Sequence, residues 1–176
     1  EVLDGWSTAL EQPYQEAITD IRFADFDIDV DSASIYSFED MRFETAATDR
    51  HIIVQVVGST SSGTASQTIP SGVIVDGVAA TKLEERSVTG GGTSAGVSLW
   101  AATVPAGSTG TVDVTFPASN RRCGVATFAL CRASYTPTNN GDDGVSGTTN
   151  LSTAVTVPIR GIYAVTGSDS ADNNSI

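Results

Sequence analysis

The chain has 176 residues, 40% of them hydrophobic, which is enough for one folded domain with an apolar core and excludes a chain that is disordered throughout. Its formal net charge is −12, and residues 1–50 carry thirteen acidic side chains against three arginines, so most of the negative charge belongs to this segment. A field of this sign repels phosphate groups, so neither nucleic acid nor an anionic membrane surface is expected as a partner.

The first twenty residues differ from the rest of the chain. Thr8 to Glu11 has the pattern of a helix capping box, and Pro13 would end or kink a helix soon afterwards. We therefore predict a short helix or an extended arm here. Trp6 and Tyr14 are too large for so short a segment to bury alone, and we expect them to dock on the body of the protein or on a neighbouring subunit.

Residues 25–31 alternate strictly between aspartate and apolar side chains. One face would carry Phe26, Ile28 and Val30, and the other Asp25, Asp27, Asp29 and Asp31. This period of two predicts a half-buried strand with an acidic outer face. Together with Trp6 and Tyr14, the four aspartates are the candidate interface of the chain.

Three interpretations of the aspartates are open: a solvated face that discourages edge-to-edge pairing, a binding face for a basic partner, or a metal site. A helix-loop-helix calcium loop needs glycine at its sixth position and glutamate at its twelfth, and the frames that begin at Asp25 and Asp27 both lack them. Alternate carboxylates on a strand also lie about 6.6 Å apart, too far to share an ion without other ligands. The metal site is the least favoured, and we expect neither a metal nor a cofactor.

The rest of the chain has the pattern of short strands separated by turns. Predicted strands cover 51–57, 97–104, 111–116 (ended by Pro117), 123–131, 155–157 and 161–165, and the continuous apolar run at 51–57 fits a central strand. Asp76-Gly77 between apolar residues predicts a hairpin at 74–79, Gly90 to Gly92 predicts a hairpin tip, and 105–110 and 139–144 predict loops.

About seven to nine short strands at this spacing indicate an all-β fold, an antiparallel β-sandwich of immunoglobulin-like or jelly-roll type. We expect residues 46–176 to form the sandwich domain. Residues 1–45 are expected to form an acidic N-terminal arm or anchor that contains at least one strand.

The two cysteines, Cys123 and Cys131, fall in one predicted strand. On an extended strand their thiols share a face but lie about 27 Å apart, at roughly 3.3 Å per residue, whereas a disulfide needs Cα atoms within about 7 Å. We therefore expect two free thiols, which favours assembly in a reducing cytoplasm. A bend within the segment is the alternative that would permit a bridge.

No constellation of residues in the sequence predicts catalysis. Gly92 to Gly96 matches the Gly-x-Ser-x-Gly elbow formally, but a strand follows it and the single histidine, His51, precedes it. A lone histidine also cannot build a zinc site. We do not expect an enzyme, although carboxylate pairs for sugar hydrolysis are not excluded by spacing alone.

The pair Arg121-Arg122 is expected to meet the acidic segment, within the chain or across an interface.

Between residues 46 and 131 the sequence resembles a known group of modules. The resemblance rests on 47–54 (ATDRHIIV), 73–81 (VIVDGVAAT), 99–107 (LWAATVPAG), 110–116 (GTVDVTF) and 122–126 (RCGVA). This succession is similar to β-sandwich modules of tailed-bacteriophage virion proteins, including head-decoration, head-fibre and tail-fibre proteins. It covers about half the chain and consists of strand and turn sequence, so it implies a scaffold more than an activity.

The resemblance implies a virion structural protein that is displayed on the particle surface and assembled in the host cytoplasm. Its expected partners are other virion proteins and further copies of itself. The alternative is a carbohydrate-binding or adhesion module, of a fibre or of a secreted bacterial protein, with a host surface glycan as its partner. That alternative needs exposed aromatic side chains, for which Trp100, Tyr135 and Tyr163 are the candidates, although Trp100 fits a core position better.

Overall fold

A computed structural model of the chain describes residues 20–61, 63–90 and 92–132, and nine strands lie within these ranges. In chain order they are β1 (Asp20–Asp29), β2 (Ala33–Arg42), β3 (His51–Thr60), β4 (Gly72–Val75), β5 (Val78–Ala79), β6 (Thr81–Gly90), β7 (Thr93–Thr103), β8 (Thr109–Asn120) and β9 (Arg122–Cys131). A turn of 3₁₀ helix, Ala65–Thr68, joins β3 to β4.

The strands form two antiparallel sheets that pack face to face. Sheet A has the order β1-β9-β3-β7-β6, and sheet B has the order β2-β8-β4-β5. Every described pairing is antiparallel, which confirms the predicted all-β antiparallel sandwich.

Strand β3 is a central strand of sheet A, as its apolar run predicts. It pairs with β7 on one side and with β9 on the other over nearly its whole length. The predicted strands at 97–104 and 123–131 are confirmed as β7 and β9. The hairpin at 74–79 is confirmed as β4–β5, and both turn residues, Asp76 (φ 48°) and Gly77 (φ 79°), have the left-handed backbone that a type I′ turn requires.

The prediction that Pro117 ends a strand is wrong, because β8 continues to Asn120. The ladder between β2 and β8 is irregular at this point: Ile35 opposes Thr115, whereas Ala33 opposes Asn120. Pro117 lies in this interrupted stretch, where a backbone N–H is not needed for pairing, so the missing donor costs little.

Strands β1 and β2, which come from the segment expected to form the acidic arm or anchor, lie within the two sheets. Strand β1 joins sheet A and β2 joins sheet B; neither β2 nor β6 was predicted from the sequence. Trp6, Tyr14, the helix or arm expected over 1–20 and the elements expected at 139–144, 155–157 and 161–165 lie outside the described residues.

The core lies between the two sheets. Sheet A contributes Ile52, Val54, Val56, Trp100, Ala102, Cys123, Val125 and Ala129, and sheet B contributes Tyr36, Phe38, Met41, Val73, Val75, Val112, Val114 and Phe116. Trp100 is therefore a core residue, as expected. The Tyr36 hydroxyl lies 2.7 Å from the carbonyl oxygen of Asn120 and accepts the Ala33 N–H at 3.1 Å, and burial raises the pKa of this phenol.

A buried arginine closes one end of the sandwich. Arg50 is fully buried, and its guanidinium donates to four backbone carbonyls: Nε to Val104 (2.8 Å), Nη1 to Phe43 (3.0 Å) and Glu44 (2.9 Å), and Nη2 to Ala106 (2.7 Å). Desolvation lowers the pKa of Arg50, and the carbonyl dipoles stabilise its charge. The side chain thereby joins the segment after β2 to the turn between β7 and β8.

The 3₁₀ turn fills the opposite end of the core because two glycines leave room for it. A Cβ at Gly58 would lie 2.5 Å from the Thr68 carbonyl oxygen and 2.7 Å from the Phe116 ring, and one at Gly96 would lie 2.5 Å from Thr68 Oγ1. These glycines permit the close approach of the turn to sheet A.

We predict that Gly58→Ala lowers the free energy of unfolding by about 1–3 kcal/mol, because the new methyl group clashes with backbone and with an aromatic ring. Gly72→Ala is the matched control, since nothing lies within 4 Å of a Cβ there. Urea denaturation of both variants measures the difference. Equal stabilities would contradict the described packing of the 3₁₀ turn.

We predict that Arg50→Met lowers the free energy of unfolding by about 3 kcal/mol or more, because several buried carbonyls lose their donor at once. Arg42→Met, at an exposed position, should change it by about 0.5 kcal/mol or less. The same denaturation experiment compares the two. A loss no larger for Arg50→Met than for Arg42→Met would show that the four hydrogen bonds do not stabilise the fold.

Candidate functional site

The candidate site lies on β1, which pairs with β9 alone among the described strands and is therefore an edge strand. The antiparallel ladder is interrupted once. Phe23 opposes Phe128 and Asp25 opposes Thr127, so Ala24 is an extra residue on β1. This one-residue insertion is a β-bulge, and beyond it every side chain of β1 changes face relative to an uninterrupted strand.

The bulge places the apolar side chains of both halves of β1 on the same face. Residues that oppose each other across a ladder share a face, and the partners of Ile21, Phe23, Phe26 and Ile28 are Leu130, Phe128, Ala126 and Gly124. These partners alternate with the core residues of β9, so they lie on the outer face of sheet A. Ile21, Phe23, Phe26 and Ile28 are hereafter the β1 strip.

The β1 strip is exposed to solvent, which corrects the prediction that this side of the strand is buried. The exposed fractions are 36% for Ile21, 57% for Phe23, 68% for Phe26 and 56% for Ile28, and Val30 just beyond the strand is 62% exposed. Periodicity separates the two faces of a strand but does not identify the covered one. Here the register on β9 turns the apolar face outward.

The aspartates lie on the other side of β1, at the rim of the sandwich towards β2. Asp25 and Asp29 are half-buried, whereas Asp27 and Asp31 are exposed. Asp25 accepts the backbone N–H of Arg42 at 3.1 Å through Oδ2, which ties β1 to the end of β2. The acidic face is therefore not the outer face of the sheet, and the prediction of an acidic outer face is wrong.

Two aspartates accept hydrogen bonds from amides of β1 itself. Asp25 Oδ1 accepts the Phe26 N–H at 2.9 Å, and Asp27 Oδ1 accepts the Ile28 N–H at 2.7 Å. Asp29 Oδ1 accepts the Asp31 N–H at 2.8 Å, which turns the chain after the strand. These bonds occupy donors that a further strand would need, so the aspartates reduce the capacity of this edge to extend the sheet.

None of the four carboxylates forms an ion pair with a lysine or arginine of the described chain. Within the same residues, no three metal-ligating side chains come together. At the far end of the strip, Arg121 lies between β8 and β9 and Arg122 begins β9; both side chains are exposed, and neither pairs with a described carboxylate. Unpaired charges of both signs thus border the β1 strip.

The strip continues into a second apolar cluster on the outer face of sheet A. The Phe23 and Phe128 rings meet edge to face, with centroids 5.6 Å apart and planes at 71°. Beyond Phe128 the cluster contains Ile53, Leu83, Leu99, Ala101 and Leu130. Sheet A is therefore apolar on both faces, whereas the outer face of a sandwich is ordinarily polar.

Phe23 and Phe26 are not among the candidate site residues predicted from the sequence. The available signal was the spacing of the apolar positions, which are odd-numbered up to Phe23 and even-numbered from Phe26. Such a change of parity within one strand indicates a bulge.

Two motifs singled out in the sequence, the Gly-x-Ser-x-Gly match and the single histidine, lie in strands of sheet A. Ser94 lies in strand β7, is buried and donates to the Gly63 carbonyl oxygen at 3.2 Å, so it does not occupy a strand-to-helix elbow. His51 lies at the start of β3, with Nδ1 2.9 Å from Thr103 Oγ1. Gly90 and Thr93 pair at the β6–β7 hairpin, which confirms the predicted hairpin there.

Comparison of the chain with protein-family models, with curated proteins and with solved structures gave no match. In the part of the chain that the structure describes, no helix is long and apolar enough to cross a membrane.

The two thiols are free and lie in β9, as predicted, but in different environments. Cys123 is fully buried beside Asp29, and burial raises the pKa of its thiol, whereas Cys131 is partly exposed. We predict that iodoacetamide at mildly alkaline pH alkylates Cys131 in the folded protein and leaves Cys123 unmodified, because the thiolate is the nucleophile.

Peptide mass spectrometry locates the modification, and unfolding in guanidinium should expose both thiols. The variant Cys131→Ser serves as the control, since it should take up no reagent until it unfolds. Rapid modification of Cys123 in the folded chain would contradict the described burial.

Proposed function

We propose that this chain is a structural module that acts by assembly and not by catalysis, on the surface of a tailed-bacteriophage particle. The observation that carries the proposal is the β1 strip. Two phenylalanines and two isoleucines lie side by side in solvent on one strand, whereas a soluble monomer ordinarily exposes such residues singly.

Exposure of this strip is costly, which favours a partner. Burial of apolar surface contributes about 25 cal/mol per Å², and each phenylalanine offers more than half of its side-chain surface. A module repeated over a particle also turns a weak contact into a strong attachment, because many copies bind together.

The location of the strip agrees with the resemblance to phage virion modules. That resemblance covers 46–131, which supplies seven of the nine described strands, β3 to β9. Strands β1 and β2 lie before it and carry the strip and the aspartates. The shared scaffold would thus be common to many virion proteins, and the added N-terminal strands would hold the contact particular to this chain.

A second candidate function, carbohydrate binding, is favoured by the same exposed rings. Aromatic rings on a flat strand can stack on sugars, and Phe23 and Phe26 supply them, whereas Trp100 lies in the core. Tyr135 and Tyr163 lie outside the described residues. Assembly is preferred because phenylalanine has no polar group with which to orient a sugar.

The test is whether the chain is part of a particle. Phage particles induced from the bacterium that carries the gene would be purified on a density gradient, and antibodies against the isolated chain would be applied in immunogold electron microscopy. We expect regular labelling of the particle surface and the intact chain in particle digests by mass spectrometry. Gradient-pure particles without the chain, prepared from a lysate that contains it, would refute the proposal.

Binding of the isolated chain to host surface polysaccharide separates the two candidates. If the chain is an adhesion module, it should bind the polysaccharide, and Phe26→Ser should abolish this binding. Ile35→Ser, at an equally exposed position on sheet B, should leave the binding intact. Assembly predicts no binding to the polysaccharide by any of the three proteins.

A further inference from the structure

We infer that residues 151–165 of this chain lie over the outer face of sheet A and cover its centre, which is formed by β9, β3, β7 and β6. The inference goes beyond the proposed function and does not depend on it, because it concerns a contact within the chain and not a contact with a particle. The β1 strip lies beside the covered area and stays exposed.

The centre of this outer face is buried. Residues that oppose each other across a ladder share a face, and five apolar residues of β3, β7 and β9 alternate with core residues, so they point away from sheet B. None of the five is more than 7% exposed: Ile53, Ala95, Val97, Ala101 and Leu130. Strand β7 is therefore buried on both faces, as is typical of a strand that lies between two layers.

No described element accounts for this burial. In the part of the chain that the structure describes, sheet B packs on the inner face of sheet A, and the 3₁₀ turn approaches the same inner face at Gly58 and Gly96. The apolar neighbours of the buried outer residues belong to sheet A itself: Leu83, Leu99 and Phe128. Neighbours within one sheet leave side chains accessible from above, so the burial indicates a further layer.

The pattern of exposure indicates where this layer lies. Leu130 opposes Ile21 across the β9–β1 ladder, yet Leu130 is 5% exposed and Ile21 is 36% exposed. The layer therefore covers β9 and stops short of β1. Because β9 ends at Cys131, directly after Leu130, the chain that follows β9 starts beside the covered area. Residues 1–19 instead adjoin Asp20 on β1, at the exposed margin.

The composition of residues 151–165 fits such a layer. Nine of these fifteen residues are hydrophobic, one (Arg160) is charged, and the segment contains both strands predicted at 155–157 and 161–165. A segment this apolar gains free energy when another apolar surface covers it. Residues 1–19 carry four acidic side chains and no basic one, so they would place unpaired charge on an apolar face.

Photo-cross-linking in the full-length chain identifies what lies over the face. The photoreactive residue p-benzoylphenylalanine replaces either Leu99, which is half-buried on the covered face, or Ile35, which is exposed on the outer face of sheet B. We expect mass spectrometry to find cross-links from position 99 to residues 151–165 within one chain, and none from position 35. Cross-links from position 99 to residues 1–19 or to a second copy, without any to 151–165, would overturn the inference.

Hydrogen exchange measures whether the cover depends on this face. In the full-length chain, the amides of residues 151–165 should exchange at least about tenfold more slowly than in a synthetic peptide of the same sequence. Ala101→Glu places a carboxylate at the buried centre of the face and should raise their exchange to the rate of the free peptide, while the amides of β3 and β8 stay protected. Ile35→Glu, at an exposed position, should change neither.

The protection of β3 and β8 reports in the same data whether each variant is folded. Leu99→Ser, at a half-buried position, replaces Ala101→Glu if that variant does not fold. Exchange of residues 151–165 at the rate of the free peptide in the unaltered chain would overturn the inference. Protection of this segment that a folded variant of the covered face does not reduce would overturn it as well.

Discussion

The register of β1 on β9 is the constraint on which the surface of this protein depends. The extra residue at Ala24 shifts the second half of the strand by one position, so that Phe26 and Ile28 lie on the same side as Phe23. Without the bulge, this half would present Asp25 and Asp27 on that side, and the apolar row would be split between the two faces. One inserted residue therefore creates a continuous apolar surface, because the side-chain period of a strand is two.

The fold tolerates this surface because its stability comes from elsewhere. The core between the sheets and the carbonyl cage around Arg50 do not involve the exposed residues of β1. An apolar face that points to solvent also lowers the stability least on an edge strand, since such a strand has one neighbour and a partly uncovered inner side. The core and the Arg50 hydrogen bonds thus stabilise the sandwich, whereas the exposed face of β1 is left for the proposed binding.

The aspartates of β1 combine two of the roles considered from the sequence. Their hydrogen bonds to Phe26, Ile28 and Asp31 occupy edge amides, which agrees with protection against uncontrolled strand pairing. Their charge remains without a described counter-ion and so also fits a basic partner. The two roles support each other, because a closed edge directs association to the face of the strand, where the proposed contact lies.

The sequence alone determined the sandwich class, the central position of β3, the Asp76-Gly77 hairpin and the two unbridged cysteines in one strand. Each depends on short-range chemistry: apolar periodicity, left-handed turn residues and the rise of an extended chain. The tertiary structure alone decided that β8 passes Pro117, that Arg50 is caged by carbonyls and that the apolar face of β1 points to solvent. These depend on which strands become neighbours and in what register, and local pattern cannot specify contacts between residues as distant in the chain as Phe23 and Phe128.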